Sequence, residues 1–76
     1  MKHTEHVTEI SSPIPGKIIK ILAHEGDRVE KGQRVFVIES MKMLHELRVP
    51  EPGKIGKINV KEGDPIVPDN SLACII

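Results

Sequence analysis

Residues 7–38 lie over residues 44–75 at a constant offset of 37, without a gap. Among the identical pairs are Glu9/Glu46, Pro13/Pro50, Pro15/Pro52, Gly16/Gly53, Lys17/Lys54, Ile18/Ile55, Lys20/Lys57, Ile21/Ile58, Glu25/Glu62, Gly26/Gly63 and Asp27/Asp64. Others are conservative, such as Val7/Leu44, Ile10/Leu47, Val29/Ile66 and Gln33/Asn70. Two unrelated strand–turn segments could share turn residues, but here the apolar positions coincide as well. A unit this short cannot bury its apolar face alone. Two copies can, when packed together about a pseudo-twofold axis.

Each copy carries the same punctuation. Short strands at 7–11 and 44–49 run into the corners Pro13-Ile14-Pro15-Gly16 and Pro50-Glu51-Pro52-Gly53. Longer strands at 17–23 and 54–60 follow and stop at Glu25-Gly26-Asp27 and Glu62-Gly63-Asp64. Proline fixes φ and lacks a donor, and glycine takes angles that other residues avoid, so these clusters are turns. A helix over 18–23 has too few residues between its flanking glycines to be stable. The 22 Ile, Val and Leu residues, most of them β-branched, also favour strands. The expected fold is therefore all-β, a small antiparallel sandwich or flattened barrel with pseudo-twofold symmetry. Ile18, Ile21 and Ala23 match Ile55, Ile58 and Val60, so the apolar spacing is three residues and then two. A regular strand keeps one face on even steps, which predicts a β-bulge near Ile19-Lys20 and near Gly56-Lys57, with both lysines facing solvent. The repeated prolines restrict the unfolded chain and so help a marginal core.

Composition excludes several function classes. Eleven basic and eleven acidic residues cancel, and Phe36 is the sole aromatic residue in 76, so neither a basic face nor a stacking platform exists for nucleic acid. No apolar run approaches the roughly 18 residues that span a membrane, and the polar start Met1-Lys2-His3-Thr4-Glu5-His6 lacks a signal-peptide core. The chain is thus expected to be cytoplasmic and monomeric, with a flexible tail at 1–6 and one domain over 7–76. It is equally consistent with a complete small protein and with a domain excised from a longer one. Cys74, inside Leu72-Ala73-Cys74-Ile75-Ile76, reads as a buried, inert thiol. His3, His6, His24 and His45 have no cysteine pair or acidic cluster beside them, so no metal site is expected.

The junction between the copies is where the local rules fail. After Val35-Phe36-Val37-Ile38 the chain must turn and begin again at Leu44, which makes Met41-Lys42-Met43 a hairpin tip. Such tips use Asn-Gly, Asp-Gly or other glycine-containing pairs, and none is present. Two methionines around a lysine suit neither solubility nor turn geometry. A conflict of this kind marks function.

Glu39-Ser40-Met41-Lys42-Met43 resembles the Glu-Ala-Met-Lys-Met signature of the biotinyl/lipoyl carrier domain family, biotinyl branch. The flanking Pro-Ile-Pro-Gly, Glu-Gly-Asp, Pro-Gly-Lys-Ile and Lys-Glu-Gly-Asp segments resemble that family at its usual spacing, over residues 10–76. The resemblance implies two four-stranded sheets, with the modified lysine on the turn between central strands. It implies covalent biotin on Lys42, joined by a biotin protein ligase through biotinyl-adenylate. The carried group then shuttles carboxylate between a biotin carboxylase and a carboxyltransferase, the domain having no catalytic site of its own. The amine must be neutral to attack, so the ligase is expected to deprotonate or orient it. Glu39, Ser40, Met41 and Met43 are implied as recognition residues for the ligase and partner enzymes; alternatively, either methionine could cover the barrel end. Ser40 replaces the usual alanine, both being small. Leu44 stands where a polar residue is more usual, and either covers core or enlarges an apolar patch. Because 23–35 and 60–72 are equally long, no thumb is inserted in the first half. Gly32 has Asp69 opposite it, so the two final turns need not share backbone angles. Lipoyl domains, the rival with the same fold, place aspartate before the lysine, where this chain has Met41; lipoate is the alternative cargo. A purely structural barrel would have no use for Met-Lys-Met.

Overall fold

The computed structural model describes residues 7–76. The expected tail at 1–6, with His3 and His6, lies outside the described residues. Eight strands follow in order: β1 (Thr8–Ser11), β2 (Gly16–Ile21), β3 (Arg28–Val29), β4 (Arg34–Ser40), β5 (Met43–Arg48), β6 (Gly53–Ile58), β7 (Pro65–Ile66) and β8 (Ser71–Ile75). The two-residue strands β3 and β7 have no counterpart among the strands expected from the repeat. They form two four-stranded sheets of order β1-β8-β6-β3 and β5-β4-β2-β7, with every pairing antiparallel. Replacing each strand by its repeat mate converts the first order into the second. The pseudo-twofold axis expected from the repeat is therefore present in the pairing itself.

The expected bulges are both there. On β2, Ile18 pairs with Ile38 and Lys20 with Val37, so two steps on β2 oppose one on β4 and Ile19 is the extra residue. On β6, Ile55 pairs with Ile75 and Ile58 with Ala73, three steps against two. Lys20 and Lys57 are both exposed. Around these ladders the core collects Ile10, Ile18, Val29, Val35, Phe36, Ile38, Val49, Ile55, Ile66, Leu72 and Ile75, all nearly inaccessible. Each such side chain contributes about 1.5–3 kcal/mol through burial.

The Glu-Gly-Asp turns do more than reverse the chain. Asp27 and Asp64 accept the amides of His24 and Lys61 within their own turns, both at 2.9 Å. The Asp27 and Asp64 amides close the same turns by donating to His24 O and Lys61 O at 3.0 Å, and the remaining bonds reach across the axis. Gly26 donates to the Ile55 carbonyl at 2.7 Å, and Ile55 donates back to Asp27 at 2.8 Å. In the other half Gly63 donates to Ile18 at 2.7 Å, and Ile18 donates to Asp64 at 2.9 Å. The Glu25 carboxylate accepts the Ile58 amide at 2.9 Å, while Glu62 accepts that of Ile21 at 3.1 Å. Gly26 and Gly63 adopt φ of 92° and 94°, which glycine takes without penalty. Each turn thus satisfies the bulged strand of the opposite copy, where the ladder leaves amides unpaired.

Two expectations change. Cys74 is half-buried rather than buried: its Sγ lies on the outer face over Gly56, where a Cβ would approach to 2.8 Å, and it accepts the Lys57 amide at 3.3 Å. Asp69 and Gly32 share left-handed angles, φ 73° and 85°. Both sit at the third position of equivalent turns, closed by Gln33 N–H to Glu30 O at 3.0 Å and Asn70 N–H to Val67 O at 3.2 Å. Aspartate tolerates that conformation better than most side chains, so the turn is kept without glycine.

Candidate functional site

Antiparallel pairing of β4 with β5 runs to Ser40↔Met43, leaving Met41 and Lys42 as a two-residue loop. Their φ angles are 56° and 65°. Positive φ at both central residues defines a type I′ turn, whose twist matches that of the flanking strands. Neither residue is glycine, asparagine or aspartate, and a left-handed conformation costs an ordinary L-residue roughly 1–2 kcal/mol. The hairpin tip expected from sequence is in place. Its backbone strain is the feature that the turn rules, which argue against Met-Lys, could not reveal. The strain persists because the paired strands on either side fix where the loop must turn.

The turn aims its side chains outward. Lys42 is exposed, Met41 is 91% exposed and Met43 62%. Neither methionine therefore covers the barrel end. Leu44, 65% exposed, likewise covers no core and extends the apolar surface onto β5, an edge strand. Glu39 is exposed and pairs across the sheet with Leu44 on one side and Lys17 on the other. Ser40 is the one buried member of the motif, at 6% exposure. A Cβ on Gly16 would run into the Glu39 carbonyl and come within 3.3 Å of Ser40 Cβ. That close approach explains the small side chain at 40. The corner residues Pro15 and Gly16, with Lys17, form one wall of a shallow hollow whose other wall is Glu39 to Lys42.

At the opposite end of the hairpin, Arg34 and Arg48 face each other across β4 and β5. Glu46 bridges them, accepting from Arg34 Nη1 at 2.8 Å and Arg48 Nη2 at 2.7 Å, and Arg48 also donates to Gly32 O at 2.9 Å. The hydrogen bond from Arg34 is the main cause holding the Glu46 carboxyl below its ordinary value of 4.5; partial desolvation opposes it, and the charges of both arginines assist.

The larger hollow, lined by Ile21, Ala23, Ile58 and Val60 with Glu25 and Glu62, straddles the pseudo-twofold axis and includes no residue of the turn. Among the described residues no group of three or more His, Cys, Asp or Glu is placed to hold a metal. His24 approaches Asp27 at 3.5 Å within its turn, and His45 lies opposite Ile38 on β5. Lys42 makes no ion pair among the described residues. An exposed primary amine on a strained turn, with no base or nucleophile paired to it, is suited to carry a group rather than to transform one.

This geometry defines a class, the small β-sandwich that presents an exposed lysine on a left-handed hairpin turn. The sequence profile of the family described as biotin-requiring enzyme matches residues 8–75. Over 64 residues the chain is 53% identical to the 2-oxoglutarate carboxylase large subunit of Hydrogenobacter thermophilus, covering 84% of this chain and 10% of that protein. It is 54% identical over 35 residues to the methylmalonyl-CoA carboxyltransferase 1.3S subunit of Propionibacterium freudenreichii, covering 46% of this chain and 28% of that one. The crystal structure of Kluyveromyces lactis urea carboxylase superposes on the whole chain with a TM-score of 0.88 at 30% identity, using 7% of its own length. The chain belongs to the biotin-requiring enzyme family and is a biotin carrier domain of the kind found in carboxylases. It spans about a tenth of the first of these relatives.

Proposed function

We propose that Lys42 is the residue to which biotin is attached, and that the loaded domain serves as a carboxyl carrier between a biotin carboxylase and a carboxyltransferase. The observation that carries this reading is the position of Lys42: exposed, unpaired among the described residues, and held on a left-handed turn between Met41 and Met43. The site fits the group, since the amine has no ion pair to break and no wall closes over it. A biotin protein ligase is the proposed loading enzyme. The amide bond forms between Nζ of Lys42 and the biotin carboxyl as AMP leaves, and the amine gives up its proton. When bound, biotin supplies a ureido nitrogen that takes up carboxylate at one site and releases it at the next.

The domain's own residues perform positioning. Ser40, wedged against Gly16, fixes the end of β4, and the left-handed pair projects Lys42 away from both sheets. Glu39, Met41 and Met43 are proposed as the recognition surface, methionine being able to re-pack against different partners. A tethered group stays at high local concentration at both catalytic sites, so the carrier needs no catalytic residues of its own. Residues 7–76 are proposed to act as one domain, in the cytoplasm. Among the described residues no helix is long and apolar enough to cross a membrane.

The test is co-expression with biotin ligase or, separately, lipoate ligase, followed by intact mass. A single biotin adduct that disappears in Lys42→Ala is expected. No biotin adduct, or one that survives Lys42→Ala, would overturn the assignment. Met41→Ala and Met43→Ala are expected to unfold at the wild-type temperature yet load more slowly.

A further inference from the structure

Because the two copies share a backbone, each end of the molecule is a control for the other. The lysine end is built from residues 11–16 and 65–71 together with the turn; the opposite end is built from their mates, 48–53 and 28–34. At the opposite end stand Arg28, Glu30, Lys31, Arg34, Arg48 and Glu51. At the lysine end the same positions hold Pro65, Val67, Pro68, Ser71, Ser11 and Ile14. Only Gly32/Asp69 runs the other way. Fold requirements cannot explain this one-sided loss of charge, because both ends meet the same backbone demands. Surface does explain it. Val67 is 57% exposed although its mate is a glutamate, and Ile14 is half-buried. Leu44 is matched by the apolar Val7, so it is not by itself part of this signal.

We infer that the Val67-Pro68 loop, with Ile14, is a second contact element for the ligase that loads Lys42, continuous with the methionine turn. This rests on the reading that Lys42 is acylated. Sheet order places the parts side by side: Ile66 pairs with Gly16, Gly16 backs Ser40, and Ser40 pairs with Met43. Three interstrand spacings make that row about 14 Å wide. A standard interface of about 800 Å² per partner has a radius of roughly 16 Å, so a footprint centred on Lys42 takes in Val67. Reach commits this face to the ligase and not to the carboxylase. Before loading, the amine stands only roughly 6 Å from its Cα on a four-carbon stem, so the protein face itself must seat against the ligase. After loading, the longer arm lets a catalytic site be entered without the loop being covered. A face with fewer charges than its mate suits the desolvated centre of such an interface, where charged residues are depleted.

The experiment copies the opposite end onto the lysine end. Val67→Glu with Pro68→Lys installs the mates Glu30 and Lys31 on a turn that already accepts them; Glu30→Val with Lys31→Pro is the reciprocal control. Thermal unfolding checks each variant, and Val67→Ser replaces the double change if that one does not fold. Biotin incorporation is followed by mass against carrier concentration, with a purified bacterial biotin protein ligase. The lysine-end variant is expected to raise KM for the carrier at least about tenfold, with kcat within about twofold, while the control matches wild type. Amide signals of residues 14 and 67 in the unloaded carrier should also shift when ligase is added. An unchanged KM, or an equal change in the control, would overturn the inference while leaving Lys42 as the attachment site. A wild-type chain that takes no biotin would remove both.

Discussion

Replacing Met41-Lys42 by Asn-Gly should make the domain more stable while removing the proposed attachment site. Both residues sit in the left-handed region, at φ 56° and 65°. Asparagine is several-fold enriched there and glycine pays no Cβ penalty, so the exchange relieves most of roughly 1–2 kcal/mol per residue. Glycine returns about 0.5–1 kcal/mol of that through the entropy of the unfolded chain. Little else is lost, because Met41 is 91% exposed and Lys42 is exposed. The net gain expected for Met41→Asn/Lys42→Gly is about 1–2 kcal/mol. In a domain of this size that raises Tm by about 5–15 °C. Met41→Asn alone keeps the lysine; it should gain about half as much and load more slowly. Thermal unfolding by circular dichroism, supported by urea titration at unchanged m-value, reads the first quantity, and intact mass reads the second. An unchanged or lower Tm in the double variant would refute the claim that the turn stores strain. The usual exchange of stability for function would then not apply at this tip.

Two further outcomes follow from the cross-axis bonds and the arginine bridge. Glu25→Ala and Glu62→Ala should each cost about 1 kcal/mol in urea unfolding, since each removes an exposed carboxylate–amide bond to the opposite copy; a variant at wild-type stability would show that water replaces the carboxylate. Glu46 should titrate below 4.5 and move back up more in Arg34→Ala than in Arg48→Ala, because Arg34 is the main cause of the lowering. A folded-state value below the unfolded one means that this contribution is fully present above about 4.5 and is lost as pH falls through the lowered value. Glu46→Gln should therefore flatten the acid limb of stability, and an unaltered limb would count against the bridge.

The repeat made much of this fold legible. Identical prolines and glycines located the corners, and the three-then-two apolar spacing placed both bulges within the segments 18–20 and 55–58 where the register shifts. What stayed hidden depended on partners far along the chain. Glu25 and Glu62 read as turn residues because their acceptor role is fulfilled by Ile58 and Ile21, across the axis. The two-residue strands β3 and β7 are too short to show any alternation. Cys74 reads as core from its apolar neighbours, yet it alternates along β8 with the buried Ala73 and Ile75 and pairs with the exposed Glu9, which puts its sulfur on the outer face. At the site, Lys42 stood out because its neighbours break turn chemistry. The conformation that the break imposes, two adjacent left-handed residues, could be read only from the backbone.

The exchange of hydrogen bonds between the copies has a consequence for how the carrier comes into being during synthesis. Two amides of β2, those of Ile18 and Ile21, are satisfied by the loop at 62–64, and its outer edge is paired by β7. Both are made by the ribosome after Lys42. A nascent chain that stops short of residue 62 leaves the Ile18 and Ile21 amides and the outer edge of β2, the strand beside the lysine hairpin, unpaired. Such a topology, dominated by pairings distant in sequence, forms late and all at once. If Lys42 is loaded as proposed, the ligase meets its target geometry only on molecules whose second half has emerged and folded. The bonds that join the two halves would then also withhold cargo from truncated chains.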